Sequence, residues 1–269
     1  GAVLAVDLAS FAFAFVSLLL LRIPNEPAVA REASLPAQCR EGLRYLRGEP
    51  GVRLLIAYHC LINLMAAVGY YSVLGPMVLA RTGGNELALG WVNACVGLGT
   101  MVGALCLAAR KPRCRKVPLM CWSYAVSFLS ADLVLGMGRS VWVWCLGAFL
   151  GNLPLPYGDG ALHTLYRERV PLPMQGRVFA VRNACIQVTI LLGYLLGAVL
   201  ADRIAEPLVA AVPLLRWMLG EGPGRAMGLA FVVTPLLGAL ASLTALRSPA
   251  VRALESVDKP APGAYNQSN

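Results

Sequence analysis

The sequence predicts an all-α polytopic membrane protein, and three observations carry that prediction. Charged residues make up 14% of the 269 positions and apolar residues 58%, with a mean hydropathy of +0.64. Soluble domains carry about 25% charged residues. The apolar residues gather into runs of roughly 20, the length a helix needs to cross a ~30 Å hydrocarbon core. The basic residues then alternate. If successive gaps lie on opposite sides of the membrane, eighteen of the 23 Lys and Arg fall on one side. Only Arg81, Arg139, Arg203, Arg216 and Arg225 fall on the other. Such an excess marks the cytoplasmic side, and a misplaced span would scramble it. The net charge of +9 belongs to this pattern. It is not a nucleic-acid footprint, because the basic residues lie between apolar runs and are not interleaved with aromatics.

Residues 1–21 form the first apolar run, with Asp7 its single charge and Arg22 and Pro24 after it. Residue 1 is Gly, and no basic segment precedes the run, so the run is not expected to be a signal peptide. The chain is expected to begin inside a membrane helix, with an N-terminal portion missing. Residues 23–51 are polar and rich in proline. Within them 37–48 can form an amphipathic helix, with Cys39, Leu43 and Leu46 on one face and Arg40, Arg44 and Arg47 on another. It is read as lying along the membrane surface or as a solvated linker helix.

The second span is 54–80, followed by a tight Gly83-Gly84-Asn85 turn. The third is 87–109, followed by a basic loop at 110–116 in which Pro112 stops the helix. The fourth is 117–138, with a minimal turn at Arg139 and Ser140. The fifth is 141–163, opened by Trp142 and Trp144, which suit a headgroup interface. Residues 164–183 are a basic connector holding Arg167, Arg169, Arg177 and Arg182. Pro171 and Pro173 end the helix entering it, and Gly176 permits a turn before the next one. The sixth span is 178–201 and the seventh 226–246, with 247–269 a polar tail. Between these last spans, 207–219 is too short to cross and is read as an interfacial segment, closed by the turn at 222–224.

Three spans carry G-x-x-x-G, at Gly99/Gly103, Gly147/Gly151 and Gly193/Gly197. That spacing lets helix backbones approach closely in lipid. Pro76, Pro154 and Pro156 are expected to kink their helices. The eight cysteines form no C-x-x-C pair, and they read as small buried hydrophobes, not as a disulfide framework or a zinc site.

Polar residues within the spans should face the interior or a wet cavity. They are Asn63, Asn93, Asn152, Asp159, His163, Asn183 and Gln187, with Asp132 near the outer end of the fourth span. Asn152 lies midway along its span beside two prolines and is the first candidate for a cavity. Asp159 and His163 are four apart on one helical face. They make either a proton-sensitive pair or a structural one. The sequence holds no H-E-x-x-H, no P-loop and no paired carboxylates at helical spacing. No enzyme chemistry, cofactor or metal is expected, so energy would come from an ion gradient or another protein.

Several stretches in order resemble the second half of a major facilitator superfamily transporter, in the branch with macrolide-efflux proteins and the enterobactin exporter. They are 7–24, 40–56, 97–116, 169–184, 200–208 and 222–238. The resemblance makes the seven spans family helices 6–12. It divides the chain into 1–22 as the last helix of a truncated N-terminal half and 23–53 as a cytoplasmic central loop. A C-terminal six-helix bundle at 54–246 and a cytoplasmic tail at 247–269 complete it. Helices seven, eight, ten and eleven would line the cavity, which makes Asn63, Asn93, Asn152 and Gln187 the substrate candidates. Gln175, Gly176 and Arg177 would form a cytoplasmic gate.

The resemblance implies a secondary active transporter of the bacterial plasma membrane. It would export a small amphiphilic compound (a drug, a macrolide or a siderophore-like molecule) by alternating access, with protons in exchange. The alternative is a half-bundle that transports nothing and serves as a membrane scaffold. Implied partners are the lipid bilayer, the small-molecule substrate and the missing half, in the same chain or another. The chain departs from the family pattern in lacking helices one to five. Its 110–116 loop has basic residues but no acidic partner.

Overall fold

The computed structural model describes residues 2–20, 35–110, 114–220 and 222–256. Residues 1–36 and 37–269 are two separate units. The first holds α1 (Ala2–Leu20). The described part of the second is a run of helices joined by short turns: α2 (Leu35–Gly48), α3 (Pro50–Ala66), α4 (Ser72–Arg81), α5 (Glu86–Ala109), α6 (Lys116–Met137), α7 (Val141–Asn152), α8 (Leu155–Arg169), α9 (Leu172–Val199), α10 (Glu206–Ala211), α11 (Pro213–Leu219), α12 (Ala230–Arg247) and α13 (Pro249–Ser256). A π-helical turn at Ala67–Tyr71 joins α3 to α4, and a second at Leu200–Ala205 joins α9 to α10.

The chain is an all-α polytopic membrane protein. Five described helices are long and apolar enough to cross a bilayer: Pro50–Arg81, Glu86–Ala109, Lys116–Met137, Leu172–Val199 and Ala226–Arg247. The fifth predicted span is not one helix. It breaks after Asn152 into α7 and α8, at Leu153 and Pro154. Pro154 and Pro156 have no N–H to offer the carbonyls of Leu150 and Asn152. Ser127 Oγ donates instead to the Gly151 carbonyl at 2.6 Å, just before the break. Hydroxyls often satisfy backbone freed in this way inside membranes. In the second span the irregular backbone is the π turn, which ends five residues before Pro76.

All three glycine pairs lie at helix crossings. A Cβ on Gly99 or Gly103 of α5 would overlap the carbonyls of Phe149 and Leu153. One on Gly147 or Gly151 of α7 would overlap Val134 or Ala131 of α6. One on Gly193 or Gly197 of α9 would overlap Ala67 and Ser72. The missing side chains let these backbones touch where no hydrophobic effect drives them together. The predicted turn after α4 also forms, with Gly83 and Gly84 at φ of 65° and 86°. Only glycine adopts such angles without strain. Asn85 then caps α5, accepting from the Ala88 amide at 3.1 Å.

Several expectations are corrected. Gly176 makes no turn: α9 starts at Leu172 with Pro171 as its N-cap, so Gln175, Gly176 and Arg177 lie in its first turns. A proline is tolerated there because the first amides of a helix have no partner to lose. The stretch 207–219, read as one interfacial segment, does not start afresh at 207: the helix continues through the second π turn into α10, and α11 follows from Pro213. Trp142 is 81% exposed, as an interfacial residue would be, but Trp144 is buried, with its indole N–H on the Gly138 carbonyl at 3.0 Å. Positions two apart on a helix point to opposite sides.

α2 buries Gly42, Tyr45 and Leu46 and leaves Cys39 and Leu43 exposed. Tyr45 donates to the Arg169 carbonyl, so α2 docks across the α8–α9 connector. Of the eight cysteines, only Cys121 and Cys145 are buried, and all are free thiols. The 110–116 loop does find acidic partners, from distant parts of the chain. Lys116 pairs with Glu168 at 2.6 Å and Arg115 with Glu255 at 3.0 Å. Glu255 also accepts from the Val117 amide at 2.7 Å. It belongs to α13, a helix with Val251 and Leu254 buried, where only a polar tail was expected. Residues 1, 21–34, 111–113, 221 and 257–269 lie outside the described residues, and with them the first part of the expected central loop and the end of the tail.

Candidate functional site

Buried side chains form two large clusters along α6. Val117, Met120, Tyr124 and Phe128 belong to one, with Leu55, Tyr166 and Leu254. Ala131 and Leu135 belong to the other, with Met77, Trp144 and Phe231. A cavity of about 440 Å³ opens where one gives way to the other. Its α6 wall is Tyr124, Ser127, Phe128, Ala131 and Asp132, spaced on a single helical face. At 1.5 Å per residue, Tyr124 to Asp132 spans ~12 Å along the helix axis. α3 adds His59, Ile62, Asn63 and Ala66, and the first π turn adds Tyr70 and Tyr71. Val96 of α5, Asn152 of α7, and Leu155, Asp159 and His163 of α8 complete the lining.

Two of the irregular stretches of backbone lie here. The π turn carries Tyr70 and Tyr71, and the break between α7 and α8 carries Asn152 and Leu155. Non-helical backbone at membrane depth is tolerated where protein or a wet cavity covers it. π turns are often found at functional sites.

The polar groups differ in how tightly they are held. Asp132 is buried and accepts from the Thr234 hydroxyl at 3.2 Å. Asp159 is exposed to the cavity and accepts from the Tyr124 hydroxyl. Tyr58, behind that wall, shares a hydrogen bond with Ser242 at 3.0 Å and meets the Tyr124 ring edge-on. His59 and His163 meet edge-on with ring centroids 6.5 Å apart. Asn63 donates to the His59 carbonyl at 2.9 Å and Asn152 to the Ala148 carbonyl at 2.7 Å. Each amide spends a donor on its own helix, four residues back. Among the described residues, no group of three His, Cys, Asp or Glu could hold a metal ion.

The sequence-predicted residues divide. Asn63, Asn152, Asp159 and His163 come together in the cavity. Asn93 and Gln187 do not line it; both are on exposed faces, of α5 and α9. Asp159 and His163 share the cavity, but the hydrogen-bond partner of Asp159 is Tyr124. Gln175 caps the preceding helix, donating to the carbonyls of Arg167 and Val170 at 3.1 and 3.0 Å. Arg177 pairs with Glu41 of α2 at 3.1 Å, and Gly176 is exposed. Asp132, expected to face the interior or a cavity, does line it, whereas sequence reasoning missed the tyrosines and His59. Their signal is the spacing: His59, Asn63 and Ala66 on one helix, and Tyr124, Ser127, Ala131 on another, each step three or four residues.

No family model matches the chain, and no solved structure matches it. It is similar to the macrolide efflux protein A of Streptococcus pyogenes, 22% identical over 212 residues, and equally to the same protein of a serotype M6 strain. The similar region takes in 76% of this chain and 51% of each relative, so the chain spans about half the length of the curated relatives it matches.

Proposed function

We propose that this chain forms the cavity-bearing half of a secondary transporter of the major facilitator type, exporting a small amphiphilic compound across a bacterial plasma membrane. The observation that carries the reading is the cavity itself. It is walled by six helical segments, holds neutral amides, tyrosines and carboxylates among apolar side chains, and is as large as sites for small molecules usually are. The similarity to macrolide efflux proteins supports export and makes a macrolide the first compound to test. In this reading the basic face, α13 and the C-terminus are cytoplasmic.

Transport proceeds by alternating access, with a second half-bundle, in the same polypeptide or another, closing the cavity. What supports a covering partner is the exposed polar positions Asn93, Asn183 and Gln187 on α5 and α9. Polar side chains in membrane helices face protein or water, not lipid. Protons move in exchange, with Asp159 and His163 as the proton-sensitive pair. The Arg177–Glu41 pair and the Gln175 cap act as a cytoplasmic gate, made in one state and released in the other.

The test is accumulation of a labelled macrolide in cells expressing the protein together with its covering half. Export should fall at least tenfold with Asn152→Leu and several-fold with Arg177→Ala, and an uncoupler should abolish it. Intact export in both variants would remove the site assignments. Failure to export any amphiphile would remove the transport reading and leave a membrane scaffold.

A further inference from the structure

We infer that one end of the cavity binds the carboxylate of an amphiphilic ligand, held by Arg182 with His59 and the Tyr166 hydroxyl beside it. Arg182 lies in α9 and is only 9% exposed. Its guanidinium stacks over the rings of Tyr166 and Phe179, at 5.0 and 4.8 Å from their centroids. Nε and Nη2 both donate to the side-chain oxygen of Asn183, at 3.1 and 2.9 Å. These contacts fix the fork, but none supplies a negative charge. Among the described residues the ion pairs belong to Arg115, Lys116, Arg177 and Arg225, and no carboxylate reaches Arg182. An arginine does not escape by losing its proton. A buried cation left without a counter-charge is costly, so such groups are normally paired.

Two more unused groups sit in the same cluster. The Tyr166 hydroxyl is buried without a partner, on a residue with no exposed surface. Nδ1 of His59 is also buried without a partner, and the two rings lie 6.2 Å apart. The guanidinium lies over the Tyr166 ring and that ring beside the His59 ring, so an uncompensated cation, a free hydroxyl donor and a free imidazole nitrogen belong to one stack of side chains. A carboxylate has two oxygens and room for several donors. The cluster adjoins the cavity through His59 and His163, which both line it. The one charge of Arg182 matches a monoanion; with the Asp159 carboxyl lining the same cavity near His163, a phosphate dianion would leave a larger excess of negative charge in a low-dielectric site. The apolar remainder of the ligand would lie along Ile62, Phe128 and Leu155.

This inference rests on the cavity being a ligand site, and its test separates the two. The chain in nanodiscs of zwitterionic lipid is titrated calorimetrically with 1-naphthoate and with its neutral isostere 1-naphthamide. The carboxylate should bind at least tenfold more tightly, about 1.4 kcal/mol. Arg182→Gln should erase that preference while naphthamide still binds. Tyr166→Phe keeps the ring under Arg182 and should narrow the preference several-fold. If Arg182→Gln does not fold, the wild-type comparison and Tyr166→Phe still decide. Equal affinities in the wild type, or a preference that survives both variants, would overturn the carboxylate site and leave the cavity standing. Binding of neither compound would overturn both.

Discussion

Replacing Gly103 by alanine adds one methyl group at the α5–α7 crossing, and the structure says where it goes. The new Cβ would overlap the Leu153 carbonyl oxygen. That oxygen belongs to backbone, at the end of α7, and cannot rotate away as a side chain could. Gly97 lies on the same helix with nothing within 4 Å of its would-be Cβ. The two substitutions share the intrinsic gain of alanine over glycine in a helix, up to about 1 kcal/mol. At Gly103 the overlap costs about 1–3 kcal/mol, and separating the backbones forfeits Cα–H···O contacts of about 0.5–1 kcal/mol each. Gly97→Ala should therefore be neutral or stabilising, and Gly103→Ala should be less stable than it by roughly 2–4 kcal/mol, the shared propensity gain cancelling. The measurement is reversible unfolding of both variants in mixed micelles of increasing denaturing detergent. Equal midpoints for the two would refute the packing of α5 on α7, and with it the placement of the break at Leu153.

Three further outcomes are expected. Arg81 donates to the carbonyls of Gly136, Gly138 and Leu219, joining the ends of α6 and α11; Arg81→Leu should cost about 2–4 kcal/mol, read in the same assay. The Arg177–Glu41 pair is partly exposed, at 25% and 40%, so a double-mutant cycle to alanine should give a coupling of no more than about 1 kcal/mol. A larger coupling would mean a drier site than the structure has. Tyr58→Phe removes a buried hydrogen bond to Ser242 and should destabilise by about 1 kcal/mol, with a Tyr58→Phe/Ser242→Ala double variant recovering part of the loss.

Most of the helices were legible in the sequence because runs of apolar residues and charge alternation act over 20 residues at a time. The glycine pairs were legible too, since a small residue every fourth position has one structural use in lipid. What failed was local. Gly176 reads as a turn, yet α9 passes through it, with nothing within 4 Å of where a Cβ would sit. α13 was hidden because Glu255 finds its partners Arg115 and Val117 about 140 positions earlier. The site was half legible. Asn63 and Asn152 stood out as polar residues in apolar runs, but Tyr70 and Tyr124 did not, since tyrosine is as common in a core as in a cavity. Asn93 and Gln187 fit the same rule as Asn63; which side of a helix faces the cavity depends on its rotation in the bundle, and composition does not record that.

The reach of Glu255 across the bundle has a consequence for biosynthesis. A chain is made from its N-terminus, so α6 enters the bilayer long before α13 exists. Until Glu255 emerges, the Val117 amide and the Arg115 side chain lack the carboxylate they meet in the folded bundle. Completion of the bundle is therefore timed to nearly the last described turn of the polypeptide. Stop codons or fusion junctions placed at residue 248 should yield inserted but loosely assembled protein, whereas junctions placed after residue 256 should not.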